Sequence, residues 1–210
     1  METRYKHPRI KHLPWSPGRG REDLVLTDVA HFVGKEVVVT EKMDGENTTF
    51  YIDGLHTRSL NWHESRNWVT AYWASICHLI PEGMRICGEN MYAKRSLYYV
   101  SLPSYFLVHS VWVEDVCLPW IATKKVIQNL GLVMVPEICT VRWSAILEHS
   151  LRKRDVPDQE GYVVRLKDGF LLEAFDTSVA KWVREDHVQT EEYWMIMAFV
   201  KNRLQKGLER

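Results

Sequence analysis

Along this chain the spacing of apolar residues shifts between a period of two and a period near 3.6, and each shift marks an element. The stretch VVVTEKMDGENTTFYIDG (37–54) carries β-branched and aromatic residues on both sides of Asp44-Gly45. Asp-Gly is strong turn chemistry, so the pattern predicts a hairpin: a strand over 36–41, a turn at Asp44-Gly45 and a strand over 48–53. A third extended piece follows near His56-Thr57-Arg58. In WHESRNWVTAYWASICHLI (62–80) the apolar positions Trp62, Trp68, Val69, Tyr72, Trp73, Ile76, Leu79 and Ile80 recur at three- and four-residue spacing. That predicts an amphipathic helix, ended by Pro81.

MRICGE (84–89) predicts a short strand, and SYFLVHSVWV (104–113) a long apolar one at the centre of a sheet. PWIATKKVIQNL (119–130) predicts a helix with proline near its start and Gly131 as its stop. LVMVPEIC (132–139) predicts a strand and RWSAILEHSLRKR (142–154) a helix. GYVVRL (161–166) and GFLLEAF (169–175) predict a second hairpin around Lys167-Asp168. TEEYWMIMAFVKNRLQK (190–206) predicts a last helix, with Thr190, Glu191 and Glu192 at its capped start. Strands and helices interspersed with antiparallel hairpins give an α+β class rather than a doubly wound parallel sheet.

A length of 210 residues allows one domain with a real core, or one with a small appendage. Residues 1–22 (KHPRIKHLPWSPGRGR within them) are rich in Pro, Gly and basic residues and predict an extended arm, with Pro14, Trp15 and Pro17 as the part that docks. The expected division is an arm over 1–22, a domain over 23–189 and a short C-terminal helix over 190–210. Charge is balanced, 27 basic against 27 acidic side chains, so overall charge makes no case for nucleic acid and any basic surface is local. Local clusters do exist: Arg4, Lys6, Arg9 and Lys11; Arg19 and Arg21; Lys94 and Arg95; Arg152, Lys153 and Arg154. The four cysteines form no C-x-x-C pair and suit neither a zinc site nor a disulfide framework, so buried free thiols in a reducing compartment are expected. With no apolar signal core and no run of about 18 apolar residues, the expectation is a soluble cytoplasmic protein that spans no membrane.

Lys42 raises a sharper question. Either it ends a strand before an ordinary turn, or the same turn aims it into a pocket as a nucleophile. Four other short pieces share its placing at the edge of an apolar strand: Thr57-Arg58-Ser59, Gly88-Glu89-Asn90, Glu160-Gly161-Tyr162-Val163-Val164-Arg165 and Ala180-Lys181-Trp182-Val183-Arg184. Singly each is weak, a turn or a surface charge. A sheet can, however, project all of them into one cleft.

In their order, these pieces resemble the motifs of the covalent nucleotidyltransferases, closest to the RNA-ligase-2-like group of ATP-dependent RNA ligases. HLPWSPG (12–18) and GENMYAKRSLYY (88–99) are similar to bacterial members of that group, and the resemblance runs from about residue 8 to residue 190. It implies an adenylyltransferase domain with antiparallel sheets flanked by helices. It implies ATP as cofactor, with Mg²⁺ or Mn²⁺ held by hard oxygen ligands. Lys42 is then the nucleophile that takes AMP. A lysine at its usual pKa of about 10.4 must be readied by burial and neighbouring positive charge.

By the same resemblance Glu41 lines the adenine pocket, and Asn47 lies near the phosphates and metal. Arg58 contacts the nucleotide phosphate or an RNA end, while Glu89 serves the ribose or the metal. Glu160 orients the metal, and Lys181 stabilises the α-phosphate. Lys94 and Arg95, close after Glu89, are the candidate RNA contacts beside Arg58. Two departures stand out. Relatives stack an aromatic ring on adenine where this chain has His109, which either stacks or is a core histidine. Many carry two lysines in the last motif, where here Val179 and Val183 flank a single Lys181.

Only 29 residues follow Lys181, so no OB-fold domain is expected. The implied activity is lysine adenylation, AMP transfer to a 5′-phosphate RNA end and joining to a 3′-hydroxyl, as in nick-sealing RNA repair. Two alternatives remain open: an adenylyltransferase that caps ends or another acceptor without efficient sealing, and a non-catalytic nucleotide- or RNA-binding module. The expected partner is RNA. The apolar face of the last helix offers itself to the domain, a protein partner or a second copy.

Overall fold

The computed structural model of the protein describes residues 4, 6–57, 63–154, 156–185, 187 and 200–208. Its strands are β1 (Lys11–His12), β2 (Glu36–Lys42), β3 (Glu46–Tyr51), β4 (Gly54–Thr57), β5 (Met84–Asn90), β6 (Phe106–Val113), β7 (Val116–Cys117), β8 (Val133–Met134), β9 (Glu137–Arg142), β10 (Gly161–Leu166), β11 (Phe170–Leu171) and β12 (Val179–Val183). Its helices are α1 (Arg66–Ile76), α2 (Trp120–Asn129), α3 (Ala145–Arg152) and α4 (Phe175–Ser178). Two sheets result. The first runs β1-β12-β10-β2-β9 and the second β11-β7-β6-β5-β3-β4, with β8 parallel to β6. Among the described residues the named strands pair antiparallel except β1–β12 and β6–β8, so the α+β class holds. Among the described residues no helix is long and apolar enough to cross a membrane.

Strand β2 explains its own Val-Val-Val run. Val37 and Val39 pack outward with Leu13, Phe32, Trp143 and Tyr162, while Val38 packs inward with Met91, Leu107 and Trp120 between the sheets. Both faces of the strand are covered, so alternation disappears from its sequence. The same parity places Thr40 and Lys42 on the face of Val38, toward the second sheet.

Both predicted hairpins are corrected. Strands β2 and β3 do not pair: β2 lies between β10 and β9 in the first sheet, and β3 between β5 and β4 in the second. Met43-Asp44-Gly45 is therefore a crossing between sheets. Gly45 is absent from the positive-φ residues, so it is not the left-handed residue of a hairpin turn. It is small because a Cβ there would come within 2.6 Å of Met91 Sδ and 2.8 Å of Glu89 Cβ. Likewise β10 stays in the first sheet while β11 pairs β7 in the second. The strand predicted over 132–139 splits at Val135-Pro136 into β8 and β9, one in each sheet. Proline cannot donate to a ladder, and the break falls there.

Residues within 1–22, expected as an extended arm, contribute a strand and buried side chains, His12 and Leu13. Strand β1 pairs in parallel with β12, aligning His12 with Lys181, and the Trp15 indole donates to the Tyr162 hydroxyl at 3.0 Å. The predicted C-terminal helix lies over 190–199 outside the described residues, and 200–208 contain no helix. That segment lies against the loop 91–105, centred on buried Asn202. Its side chain donates to the Met91 and Ala93 carbonyls and accepts from the Tyr99 amide. An apolar run followed by a basic one reads as a helix, but Asn202 exchanges helical bonds for bonds to this loop. Of the cysteines, Cys87 and Cys117 are buried, whereas Cys77 and Cys139 are only half-buried, and all are free thiols.

Candidate active site

The two sheets enclose a cavity of about 660 Å³, the size of a small-molecule site. Its walls include Glu41, Lys42, Asn47, Glu89, His109 and Lys181, six of the residues singled out in the sequence. Register explains why they meet. In the first sheet Lys42 lies beside Gly161, and the next inward-facing row is Thr40, Val163 and Lys181. The two lysines thus project from neighbouring rows. In the second sheet Asn47 lies beside Glu89. His109 sits at a bulge in β6, between the Val108–Gly88 and Ser110–Cys87 pairs. Bulges re-aim side chains, and this one turns the imidazole toward Asn47, whose amide donates to His109 Nε2 at 3.1 Å.

Glu160 immediately precedes β10, and its Oε1 lies 2.6 Å from Lys42 Nζ. Burial would lower the Lys42 pKa, but the carboxylates of Glu160, Glu89 and Asp44 outweigh it and hold the amine above its usual value. Among these protein groups the acidic neighbours thus keep Lys42 an ammonium. Burial likewise pushes Glu160 up, yet Lys42 and a hydrogen bond from His187 prevail and leave it below the ordinary range. Glu89 goes the other way. Burial pushes it up to about 7 against the pull of Lys42 and Arg95. Burial, with His7 and Arg165, drives His109 well below its usual pKa, so its ring is neutral. The ring meets His7 of the arm edge-on, centroids 5.1 Å apart.

The other candidates are distributed around this centre. Glu41 borders the cavity, but its carboxylate accepts from the Gln159 amide at 3.0 Å. Lys94 is exposed, its amine 6.0 Å from the Tyr98 ring centre, and Arg95 is half-buried. Arg58 lies outside the described residues.

Two residues were missed. Asp44, a turn former by sequence, accepts from Ser96 Oγ at 2.6 Å and from the Leu97 amide at 2.8 Å. His187 lies with its Nε2 3.2 Å from Glu160 Oε1 and 3.8 Å from Asp44 Oδ1. One ligand atom from each of Asp44, Glu160 and His187 falls within 4.8 Å of the others, a grouping able to hold a metal ion. The placement of Asp44 one residue beyond Met43 was the available signal, while a lone histidine after the last strand gave none.

A family model described as RNA ligase matches residues 35–183. Among solved structures, the chain resembles Naegleria gruberi RNA ligase with PPi, at 16% identity over 91% of this chain and 64% of that one, with a TM-score of 0.55. It also resembles a lysine-to-alanine mutant of the same ligase with ATP and Mn, at 17% identity over 74% of this chain and 52% of that one, with a TM-score of 0.54. A glutamate-to-alanine mutant with AMP and Mn matches with the same figures. The matches span from about half to 64% of the length of that ligase. No curated protein matches it. At these identities the solved relatives speak for the fold, which is that of the two facing sheets. The family match covers most of the chain and both lysine-bearing strands, and on it the chain belongs to the RNA ligase family.

Proposed function

We propose that the protein is an ATP-dependent RNA ligase whose Lys42 carries AMP between two half-reactions. The observation that supports this best is the ion pair of half-buried Lys42 with buried Glu160 at the wall of a nucleotide-sized cavity, Lys42 lying one row from Lys181. Lys42 Nζ attacks the α-phosphorus of ATP. An N–P bond forms, the bond from the α-phosphorus to the bridging oxygen breaks, pyrophosphate leaves with that oxygen, and the two protons lost from the ammonium pass to solvent. Lys181 lies where charge grows on the α-phosphate, and a fixed cation there lowers the barrier. His109 flanks the adenine, Asn47 steadies its ring, and Arg58, Lys94 and Arg95 meet the RNA.

The donor set suits a divalent cation. Glu160 Oε2 is buried without a hydrogen bond among the described residues, and Glu89 is a carboxyl whose ionisation burial opposes. Glu160, Glu89 and Asp44 would hold Mg²⁺ or Mn²⁺, which supplies charge neutralisation for phosphate and carboxylates alike. A cation held there would compete with the Lys42 ammonium for the Glu160 charge. ATP, AMP and Mn in the Naegleria structures support this cofactor set.

In the second half-reaction AMP passes from Lys42 to a 5′-phosphate. A 3′-hydroxyl then attacks that phosphate and AMP leaves. The test is a nicked RNA duplex with a labelled 5′-phosphate, incubated with ATP and Mg²⁺. Ligation predicts sealed strand with only transient adenylylated end. Accumulation of the adenylylated end without sealing favours the end-capping alternative, and no change in the strand with either metal contradicts both.

A further inference from the structure

Glu160 immediately precedes β10, whose pairing with β2 begins at Gly161. Its Oε1 has two partners among the described residues, Lys42 Nζ at 2.6 Å and His187 Nε2 at 3.2 Å, and its Oε2 has none. One partner is the reacting amine. Forming the N–P bond removes the ammonium charge, and with it the attraction that holds the carboxylate. His187 is untouched by that change. Its side chain is 3% exposed, the Asp44 carboxylate lies 3.8 Å away and Ser96 Oγ lies 3.4 Å from the ring. It comes from the segment just beyond β12, and the Arg184 amide there donates to the Glu160 carbonyl at 3.1 Å. Backbone and imidazole therefore grip the same residue from one side.

We propose that His187 is a positioning residue that keeps Glu160 in place while Lys42 carries AMP. This rests on the adenylation of Lys42 proposed above. With its proton on Nε2 the imidazole donates to Glu160, and Asp44 and Ser96 restrict the tilt of the ring. Before adenylation, Lys42 and His187 share the task. Afterwards His187 holds the carboxylate without the ammonium. Loss of the imidazole therefore falls mainly on transfer of AMP to the 5′-phosphate, and less on its arrival at lysine.

His187→Leu keeps bulk without a donor, and His187→Gln restores an N–H near the position of Nε2. Two single-turnover rates separate the steps: adenylation of Lys42 from ATP, and transfer of AMP from pre-adenylylated protein to nicked RNA. His187→Leu should slow transfer roughly 10- to 100-fold more than adenylation, as for a lost hydrogen bond to a charged group, and His187→Gln should recover most of it. Equal slowing of both steps, no slowing, failure of Gln to rescue, or a Leu variant that does not fold while Gln folds but transfers no better relative to adenylation, overturns the proposal. Wild-type protein that forms no lysyl-AMP overturns the ligase reading itself; a wild type that forms it, with a Leu variant slowed equally in both steps, overturns this proposal alone.

Discussion

Arg66→Met is expected to lower stability by about 3–5 kcal/mol, the usual effect of leaving one member of a buried ion pair alone. Glu46 opens β3 within the Lys42 motif, and Arg66 opens α1. Glu46 is 4% exposed and Arg66 7%. Arg66 Nε donates to both Glu46 oxygens, at 3.1 and 3.0 Å, and Nη2 makes a further short contact with Oε1. The first turn of α1 has no acidic residue and no side-chain cap, so a cation at that end is unfavourable unless Glu46 answers it. Met preserves length and apolar contact but strands the Glu46 carboxylate. Urea unfolding should show the midpoint shift, and the apparent Tm should fall by roughly 10 °C. The double variant with Glu46→Gln should be less destabilised than the sum of the two singles. A loss for Arg66→Met below about 1 kcal/mol would mean that the pair is solvated in solution.

Glu160→Gln is expected to reduce lysyl-AMP formation by about 100-fold or more while the fold persists. The amide keeps the shape and can still accept from Lys42, but it cannot supply a negative charge to a cation. Losing one group aimed at developing or neutralised charge typically has an effect of this size. Lys42 is 22% exposed, so an ammonium deprived of its carboxylate can turn toward water and the loss of stability is small. Single-turnover adenylation beside a urea curve separates the two effects. A rate within threefold of wild type would remove Glu160 from the chemistry.

Much of this site was legible because its residues lie on strands with strong patterns. The parity that buries Val38 also turns Lys42 inward, and the Glu160 and Lys181 motifs lie on strands that flank the same core. Sheet partners were not legible. Asp44-Gly45 and Lys167-Asp168 have turn chemistry whether the chain folds back or crosses to another sheet, and only distant residues decide which. At Gly45 those residues are Met91 and Glu89. The single strand expected over 132–139 failed for the same reason, with Pro136 as the local sign. Asn202 and His187 act through bonds to segments some hundred and 27 positions away, to Met91 and Glu160, and no local period reports such partners. The neighbouring carboxylates, which outweigh burial and keep Lys42 an ammonium before nucleotide arrives, are equally a product of folding.

The most direct measurement is covalent capture. Protein is incubated with Mg²⁺ and ATP labelled at the α-phosphate, denatured, and examined for retained label, with Lys42→Met alongside and intact mass measured on the starting material. The account predicts label on wild-type protein, none on Lys42→Met, and a labelled peptide containing Lys42. Label that persists on Lys42→Met would contradict it. So would wild-type protein that takes no label with Mg²⁺ or Mn²⁺ and whose starting mass carries no adenylyl group.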